Sequence, residues 1–406
     1  MKQKVVIIGH GYTSRLGIIR SLAELDCDVI IVTMVFHRRL GRLIRFEGGK
    51  PIDGYSKYVS KVLYCPFQDA ESLISLLIEK CSDSHQKPII IPDSDFSASV
   101  IDWHQDRLKD YFLFPHINHS PGAVEYWMDK INQKELAKEV GLRVASGVVV
   151  DVSGNRYTFP DHVQYPCFTK ALATVSGGKQ FLRKCENADE LKKVLDKVAM
   201  RYDTKVLIED FKNIHKEYAV VGFSNGQDVV IPGVIEFVEN CKSHFGIARE
   251  GKVIPLSGFE SIVAQFKAFI QRIGFSGLFD IDFYESEGEL FFSELNLRFG
   301  GSGYAITKMG VNLPVMLVNH LLGKENKESY SMTINDTSSF INERMCLDDY
   351  ISGYLSEKEF WSIINASPIK FVYDDADRAP YARFKRFCHL QRINRFRRAL
   401  KKKLKG

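Results

Sequence analysis

The chain has 406 residues, of which 45% are hydrophobic and 26% are charged. This length and composition are typical of a globular protein with two or three domains. No continuous apolar segment is long enough to span a bilayer, which argues against an integral membrane protein. The first residues, MKQKVVIIGHG, pass directly into a strand-like segment, so we expect no signal peptide.

The eight cysteines are scattered, without a CxxC pair or a close cluster with histidine. This spacing argues against a structural zinc site and against a dense disulfide framework. We therefore expect the protein to reside in a reducing cytoplasm.

The net charge of +5 hides a marked asymmetry between the last residues and the rest of the chain. Residues 383–406 contain eleven Lys or Arg and no acid, so removing them leaves a charge of −6. Apolar residues recur there every three or four positions, which predicts a basic amphipathic helix. The helix either docks on the acidic body or lies on an anionic membrane surface at the inner face of the membrane. Nucleic acid is a less favoured partner, because no DNA-binding motif accompanies the basic residues.

Strands and helices alternate in the first part of the chain, which predicts a parallel sheet with right-handed crossovers. The predicted strands and helices are listed in chain order: strand 4–9, helix 15–25, strand 27–33, strand 61–65, helix 69–81 and strand 87–92. The segment GHGYTSRLG lacks the spacing of a dinucleotide-binding loop, and the second strand ends without an acid to hold a ribose. The glycines there are better explained by a tight turn between strand and helix.

From about residue 160 the pattern changes to short strands and turns, which predicts an α+β region with a largely antiparallel sheet. We expect helices over 130–141, 187–201 and 260–274, the first of them capped by Asp129. A short polar turn joins strands 278–284 and 289–297, so these should form a hairpin.

This hairpin carries polar side chains at alternate positions, and alternate side chains of a strand share a face. If the polar faces of its two strands coincide, Asp280, Asp282, Glu294 and Asn296 converge, with Arg298 beyond them. Crowded carboxylates repel one another, and a hard divalent cation such as Mg²⁺ removes the conflict. The alternative is a hairpin whose polar face lies in solvent.

Two further segments have the composition of a nucleotide site. Lys170 precedes a loop with Ser176, Gly177 and Gly178, and such a loop exposes backbone N–H groups to phosphate. An ordinary hairpin turn has the same composition. A hydrophobic strand then ends in Glu209-Asp210-Phe211, followed by Glu217, which suits a base and a ribose, although an exposed turn would look similar.

The order of these motifs resembles the ATP-grasp superfamily, in which ATP activates a carboxylate as an acyl phosphate that an amine then captures. The matching pieces are DK at 129–130, Lys170 with its glycine loop, the segment from Glu209 to Glu217, and IDF…SELNLRFGGSG. Within the superfamily, IIIPDSD at 89–95 and YSKYV at 55–59 look most like carboxylate–amine ligases that include bacterial D-aspartate ligases.

The resemblance implies a role for each matching residue. Lys130, Lys170 and the loop of Ser176, Gly177 and Gly178 would contact the phosphates of ATP. Glu209 and the backbone of Asp210 and Phe211 would hold the adenine, and Glu217 the ribose. The Mg²⁺ ligands, with Mn²⁺ as an alternative metal, would be Asp282, Glu294 and Asn296, with Asp280 a rival to Asp282. Arg298 would act on the reacting phosphoryl group.

The resemblance also implies a domain organisation over residues 1–325. A Rossmann-like pre-ATP-grasp domain would span 1–115, followed by an ATP-grasp domain at 116–325 whose smaller lobe covers about 145–212. Residues 326–406 would form a carboxy-terminal extension that includes the basic helix. The fold class expected is thus α/β followed by α+β.

We expect a ligase that joins a small-molecule carboxylate and an amine, on an amino acid or a cell-envelope precursor. A phosphoryl-transferring enzyme of the same fold is the first alternative, and a nucleotide-binding scaffold without catalysis is the second. The presence of Lys170, Asp282, Glu294, Asn296 and Arg298 argues against the scaffold. The sequence specifies neither the substrates nor the oligomeric state.

Overall fold

The computed structural model of the chain describes residues 2–9, 13–35, 50–172, 181–202, 204–244 and 246–403. The side chains of residues 155, 171 and 394–403 lie outside this description. The described strands form three sheets, of four, nine and four strands.

The first sheet is parallel, as the alternation of strands and helices predicted. Its strands are β1 (Lys4–Gly9), β2 (Asp28–Val35), β3 (Val59–Pro66) and β4 (Ile89–Pro92), in the order β3-β2-β1-β4. Val and Ile dominate β1, β2 and β4, which are buried on both faces, as parallel strands covered by helices must be. The helices of this region are α1 (Thr13–Ser21), α2 (Ala70–Cys81), α3 (Asp95–Trp103) and α4 (Gln105–Leu108).

A short connecting region follows the first sheet. It contains β5 (His116–Ile117), α5 (Ala123–Met128) and α6 (Lys130–Glu139). The side chain of Asp129 accepts hydrogen bonds from the N–H groups of Ile131 and Asn132, so the predicted cap of α6 is confirmed.

The next sheet in sequence order is small and antiparallel. Its strands are β6 (Gly147–Asp151), β7 (Cys167–Ala171), β8 (Arg183–Cys185) and β9 (Lys205–Asp210), in the order β6-β9-β7-β8. Helix α7 (Ala188–Ala199) packs its apolar face on this sheet and closes a separate hydrophobic core. We refer to residues 147–210 as the small lobe.

The third and largest sheet is mainly antiparallel. Its later strands are β10 (Lys216–Asn225), β11 (Val229–Val230), β12 (Val234–Asn240), β13 (Ala248–Ile254), β14 (Phe275–Ser286), β15 (Glu289–Asn296), β16 (Ser338–Ile341) and β17 (Ile369–Lys370). The main path is β15-β14-β10-β12-β13-β16-β17, with β5 beside β14 and β11 beside β10. Its helices are α8 (Glu260–Ile273), α9 (Gly303–Lys308), α10 (Leu313–Leu321), α11 (Glu343–Ser352) and α12 (Glu357–Ala366).

The first and third sheets share one hydrophobic core. Ile7 and Ile31 of the parallel sheet belong to the same buried cluster as Val221 and Phe223 of β10, together with Phe299. This common core holds the carboxyl ends of the parallel strands near the hairpin of β14 and β15. The position matters because ligands of open α/β sheets bind outside the carboxyl ends of the strands.

The predicted basic helix is present as α13 (Arg378–Lys403). Its first turns dock on the rest of the chain, because Phe384 is fully buried and Cys388 nearly so, in a cluster with residues of α11 and α12. Arg392 also lies 3.2 Å from Glu357. Docking on the body is therefore confirmed for the part of α13 whose side chains the structure describes.

Among the described helices, none combines the length and the apolar character needed to cross a membrane. All eight cysteines have free thiols, and seven of them are buried.

Candidate active site

The most polar part of the large sheet is the hairpin of β14 and β15. Asp280 lies directly opposite Asn296, and Asp282 directly opposite Glu294, so the four side chains share one face. Asp280 and Asn296 are both buried. The hairpin and its common polar face agree with the sequence, whereas the role of these residues as metal ligands remains a prediction.

A β-bulge at Ser293 sets the direction of these side chains. The pairing passes from Asp282 opposite Glu294 to Phe283 opposite Phe292, which leaves Ser293 without an opposite residue. In a regular strand Phe292 and Glu294 would point to the same side. Because of the bulge, Phe292 enters the core while Glu294 faces the cleft.

The carboxyl groups of the hairpin raise one another's pKa, because their negative charges repel. Burial raises the pKa of Asp280 to about 6; Arg298 opposes this rise and Glu294 adds to it. Burial, followed by the charges of Asp280 and Glu294, also raises the pKa of Asp282 well above its ordinary value. A divalent cation at this face would relieve the repulsion, so the electrostatics of the hairpin fit a metal.

The donor set of the hairpin suits Mg²⁺ better than a softer metal. Over the described ranges no three His, Cys, Asp or Glu side chains gather as a complete metal cluster. Mg²⁺ needs no such cluster, because it is commonly held by one or two carboxylates and completes its shell with water and substrate phosphates. Asp282, Glu294 and the amide oxygen of Asn296 would supply such a partial set.

Lys130, the first residue of α6, reaches this hairpin. Its Nζ lies 2.5 Å from Oε1 of Glu294. Although burial acts in the opposite direction, Lys130 lowers the pKa of Glu294. Gln133 fixes α6 in place, because its side chain donates to the carbonyl of Leu295 and accepts from the N–H of Leu295, both at 2.9 Å.

Two more lysines meet at Glu209, which is buried near the end of β9. Nζ of Lys170, on β7, lies 2.7 Å from Oε2 of Glu209, and Lys134 binds the other carboxylate oxygen. Burial lowers the pKa of Lys170 to about 8, with Lys130 contributing. Burial also lowers the pKa of Lys134 to about 7, with Lys170 contributing. The three lysines therefore form a desolvated cationic group that an anion such as phosphate would stabilise.

Lys134 is the functional candidate that the sequence analysis missed. It follows Lys130 by four residues on α6, so the two side chains lie on the same face of the helix. This spacing is visible in the sequence, but the sequence does not show that Glu209 of the small lobe lies within reach of Lys134.

Ser176, Gly177 and Gly178, the predicted phosphate loop, lie outside the described residues. Lys170 is described, and β7 places it against β9, with Phe168 opposite Glu209.

The segment predicted to hold adenine lies at the end of β9, an inner strand of the small-lobe sheet. The N–H of Asp210 donates to the carbonyl of Ser146 at 2.9 Å, and that of Phe211 to the carbonyl of Pro166 at 3.0 Å. These two donors are thus already used within the small lobe, so a base would have to donate its hydrogen bonds to the backbone carbonyl oxygens of this pair. A cavity of about 260 Å³ adjoins this segment, lined by residues that include Gly147, Glu209 and Asp210.

Glu217, the predicted ribose ligand, lies on β10, the strand next to β14. It is opposite Tyr284, while Ala219 is opposite Asp282, so Glu217 shares the polar face of the hairpin. Its carboxylate accepts a hydrogen bond from the side-chain amide of Asn240. Glu217 is also near enough to Asp282 to contribute to the rise in the pKa of that carboxyl.

Arg298 connects the hairpin with the parallel sheet. Its Nε lies 3.0 Å from Oδ1 of Asp95, at the start of α3, and its Nη1 lies 3.5 Å from Oδ2 of Asp280. Although burial opposes it, Asp95 and Asp280 raise the pKa of Arg298 above its ordinary value. Gly300 allows this carboxylate to pack closely, because a Cβ at this position would approach the carboxylate carbon of Asp280 to 2.8 Å.

Comparison with known proteins identifies relatives for most of the chain. No family model matches the sequence. The chain is 24% identical over 312 residues to a D-aspartate ligase of Enterococcus faecium, covering 71% of this chain and 73% of the relative. It is 29% identical over 211 residues to D-alanine–D-alanine ligases of Streptococcus pneumoniae, covering 47% of this chain but only 59% of the relative.

Solved structures share the architecture. The biotin carboxylase domain of Hydrogenobacter thermophilus 2-oxoglutarate carboxylase, solved with MgADP, matches with a TM-score of 0.63 and 17% identity, over 84% of this chain and 74% of that one. An L-amino acid ligase from Bacillus licheniformis matches with a TM-score of 0.61 and 16% identity, over 83% and 79%. At these identities the matches concern the fold, and they confirm the predicted fold class.

Proposed function

We propose that the chain is an ATP-grasp ligase of the carboxylate–amine type, as its similarity to D-aspartate ligase and D-alanine–D-alanine ligase supports. It forms an amide from a small carboxylic acid and an amine through an acyl phosphate. A carboxylate oxygen attacks the γ-phosphorus of ATP, and ADP leaves. The amine nitrogen then bonds to the acyl carbon, and phosphate leaves with the electron pair of the broken carbon–oxygen bond. The nitrogen loses one proton to solvent as the amide forms.

The observation that most supports this proposal is the meeting of acids and lysines in one cleft. Glu294 of the hairpin and Lys130 of α6 are in contact, and Lys170 also lowers the pKa of Glu294. A nucleotide triphosphate with Mg²⁺ carries both kinds of charge that such a cleft binds: phosphates for the lysines and a cation for the carboxylates.

We assign the roles accordingly. Asp282, Glu294 and Asn296 hold Mg²⁺, which neutralises charge on the β- and γ-phosphates when it is bound. The lysines at 130 and 170 bind phosphate oxygens, with the loop of Ser176, Gly177 and Gly178. Glu209, Asp210 and Phe211 hold the base, and Glu217 the ribose. Arg298 stabilises the negative charge that develops where carboxylate oxygen meets phosphorus.

The substrates are proposed from the names of the relatives. D-aspartate ligase and D-alanine–D-alanine ligase are named for amino acids, and the first of them covers most of this chain. We therefore infer that at least one substrate is an amino acid, joined to another amino acid or to a cell-envelope precursor.

A measurement of ADP release tests the proposal. The purified protein is incubated with ATP, Mg²⁺ and each member of a panel of amino acids and carboxylated acceptors, singly and in pairs. The expected result is release of ADP and phosphate that depends on both an acid and an amine, with Mn²⁺ tested in place of Mg²⁺. Phosphate retained on the product would identify a phosphoryl-transferring enzyme instead, and nucleotide binding without any turnover would identify a scaffold.

The distal part of α13 is a separate question. Because its first turns dock on α11 and α12, contact with an anionic membrane would involve the basic residues after position 393. Deletion of residues 394–406 should then weaken co-sedimentation with phosphatidylserine vesicles. Equal sedimentation of the intact and shortened proteins would leave docking as the sole role of the helix.

A further inference from the structure

The carboxyl edge of the parallel sheet contains polar groups that the proposed roles do not use. Over the described residues, six buried side-chain polar atoms have no hydrogen-bond partner. Three of these atoms lie at this edge: Nη2 of Arg15, Oγ1 of Thr33 and Oδ2 of Asp93. Buried polar groups rarely go without a partner, so their concentration at one edge indicates a place where a polar ligand binds.

Asp93 is the most informative of the three. It follows β4 directly, and its residue is 7% exposed. The hydroxyl of Ser14 donates to Oδ1, while Oδ2 has no partner in the described part of the chain. A Cβ on residue 9 would lie 2.8 Å from this oxygen, so Gly9 lets the carboxylate lie against β1. When Asp93 is ionised, the group that completes it must donate a hydrogen bond, because a carboxylate only accepts.

The surroundings of Asp93 lead to the reacting centre. Asp95 contacts Arg298 at 3.0 Å, and the side chains of these two residues are 17% and 22% exposed. Arg298 also lies near enough to Asp93 to oppose the rise of its pKa, which burial brings to about 7. Asp93 and Asp95 therefore lie on one side of Arg298, and the hairpin lies on the other.

The balance of charge on this side favours a cation. Arg298 carries one positive charge and is shared with Asp280, so it does not neutralise both Asp93 and Asp95. Arg15, which also lowers the pKa of Asp93, pairs through Nε with Asp53, while its Nη2 has no partner in the described part of the chain. The two guanidinium groups thus face four carboxyl groups, those of Asp53, Asp93, Asp95 and Asp280. A second carboxylate or a phosphate would be repelled here, whereas an ammonium group would be attracted and would donate the missing hydrogen bond.

We propose that Asp93 and Asp95 bind the ammonium group of the amine substrate beside Arg298. The carboxylate of Asp93 accepts one proton from this group, and the pair positions the resulting neutral amine, with its free electron pair, for attack on the acyl carbon. This inference rests on the proposed function and adds the residues that select the amine. The roles proposed above for nucleotide binding involve neither Asp93 nor Asp95, so loss of either should affect capture of the acyl phosphate more than its formation.

A partition experiment separates these two steps. The protein receives ATP, Mg²⁺ and an equimolar mixture of the twenty proteinogenic amino acids with D-aspartate, together with hydroxylamine. Hydroxylamine is small and largely uncharged at pH 7.5, and it traps an acyl phosphate as a hydroxamate without needing an ammonium site. Amide and hydroxamate are measured in the same reaction, so their ratio does not depend on how much protein is folded.

The expected result is that Asp93→Asn and Asp95→Asn each lower the ratio of amide to hydroxamate by about tenfold or more, as for loss of a hydrogen bond to a charged group. Asp102→Asn is the matched control, since Asp102 is also buried but caps α5 through the N–H of Val124. It should leave the ratio unchanged. An unchanged ratio in both test variants would overturn the inference, and so would an equal fall in the control. If the wild-type protein forms neither hydroxamate nor ADP, the proposed function itself fails.

Discussion

The ammonium of Lys130 lies 2.5 Å from Oε1 of Glu294, so a predicted phosphate ligand and a predicted metal ligand are partners. A phosphate at Lys130 and a metal at Glu294 would replace this ion pair with two others. The cost of separating the charges is therefore offset within the same cleft. If only one of the two ligands bound, the other half-buried side chain would lose its partner without gaining a new one.

Replacement of Glu294 tests the metal site. Glu294→Gln keeps the size of the side chain but removes its charge, so Mg²⁺ loses a ligand and Lys130 loses its partner. We expect ADP formation to fall by about 100-fold or more, at least the cost of losing a residue that supports a metal ligand. A coupled assay of ADP release over a range of Mg²⁺ concentrations measures the change.

The matched control for Glu294 is Glu289→Gln, at the exposed start of the same strand, where Glu289 forms an ion pair with the exposed Arg143. It should retain activity. Full turnover in Glu294→Gln at limiting Mg²⁺ would contradict the assignment of the metal site.

Replacement of Lys134 tests the lysine cluster. Lys134→Met removes one of the two cations at the buried carboxylate of Glu209, leaving Lys170 as its partner. We expect the KM for ATP to rise by about tenfold, because Glu209 and Lys170 lose their alignment. Initial rates at varied ATP provide the measurement. Lys138→Met, on an exposed position of the same helix, should leave the KM unchanged; an equal rise in both variants would point to a general effect on α6.

Replacement of Gly300 tests the packing around Asp280. A Cβ at this position would approach Asp280 to 2.8 Å and Val221 to 2.9 Å. We expect Gly300→Ala to displace the carboxylate from Arg298, lowering both turnover and the free energy of unfolding, the latter by about 1–3 kcal/mol. Gly301→Ala is a close control, because a Cβ there meets no atom within 4 Å. Urea unfolding and ADP release of the two variants should differ; equal behaviour would show that the site tolerates the added methyl group.

The acid sensitivity of the fold should depend on His116. Burial, with the charges of His119 and His320, lowers the pKa of His116 from 6.5 to about 4. The unfolded chain therefore takes up a proton on this ring between these two pH values while the folded chain does not. The contribution to stability is complete above pH 6.5 and is lost as the pH falls toward 4.

Thermal unfolding from pH 7 to pH 4.5 measures this effect. The melting temperature of the wild-type protein should fall, and His116→Gln should show a shallower fall, because the ring that takes up the proton is absent. His85→Gln, at an exposed position, should follow the wild-type curve. If His116→Gln also follows it, another group controls the acid limb.

Much of the fold and the chemistry of the site could be read from the sequence because both depend on local spacing. The runs of Val and Ile in β1, β2 and β4 indicated a parallel sheet, and the alternation after Ser293 separated Glu294, Asn296 and Arg298 from the apolar face. Asp129 was identifiable as a cap from its position before an apolar-periodic segment. In each case neighbours along the chain were enough to determine the structure.

Other features depend on residues that only the tertiary structure brings together. The bulge at Ser293 arises from the pairing with β14, which the period of β15 alone does not reveal. Lys134 contacts Glu209 of β9, which lies 75 positions away in the sequence. Asp95 contacts Arg298, which lies 203 positions away. Long-range ion pairs leave no periodic signal in a single sequence, since either partner alone looks like an ordinary surface charge. Local periodicity thus determined the elements and their polar faces, while packing between distant segments decided which charges became partners.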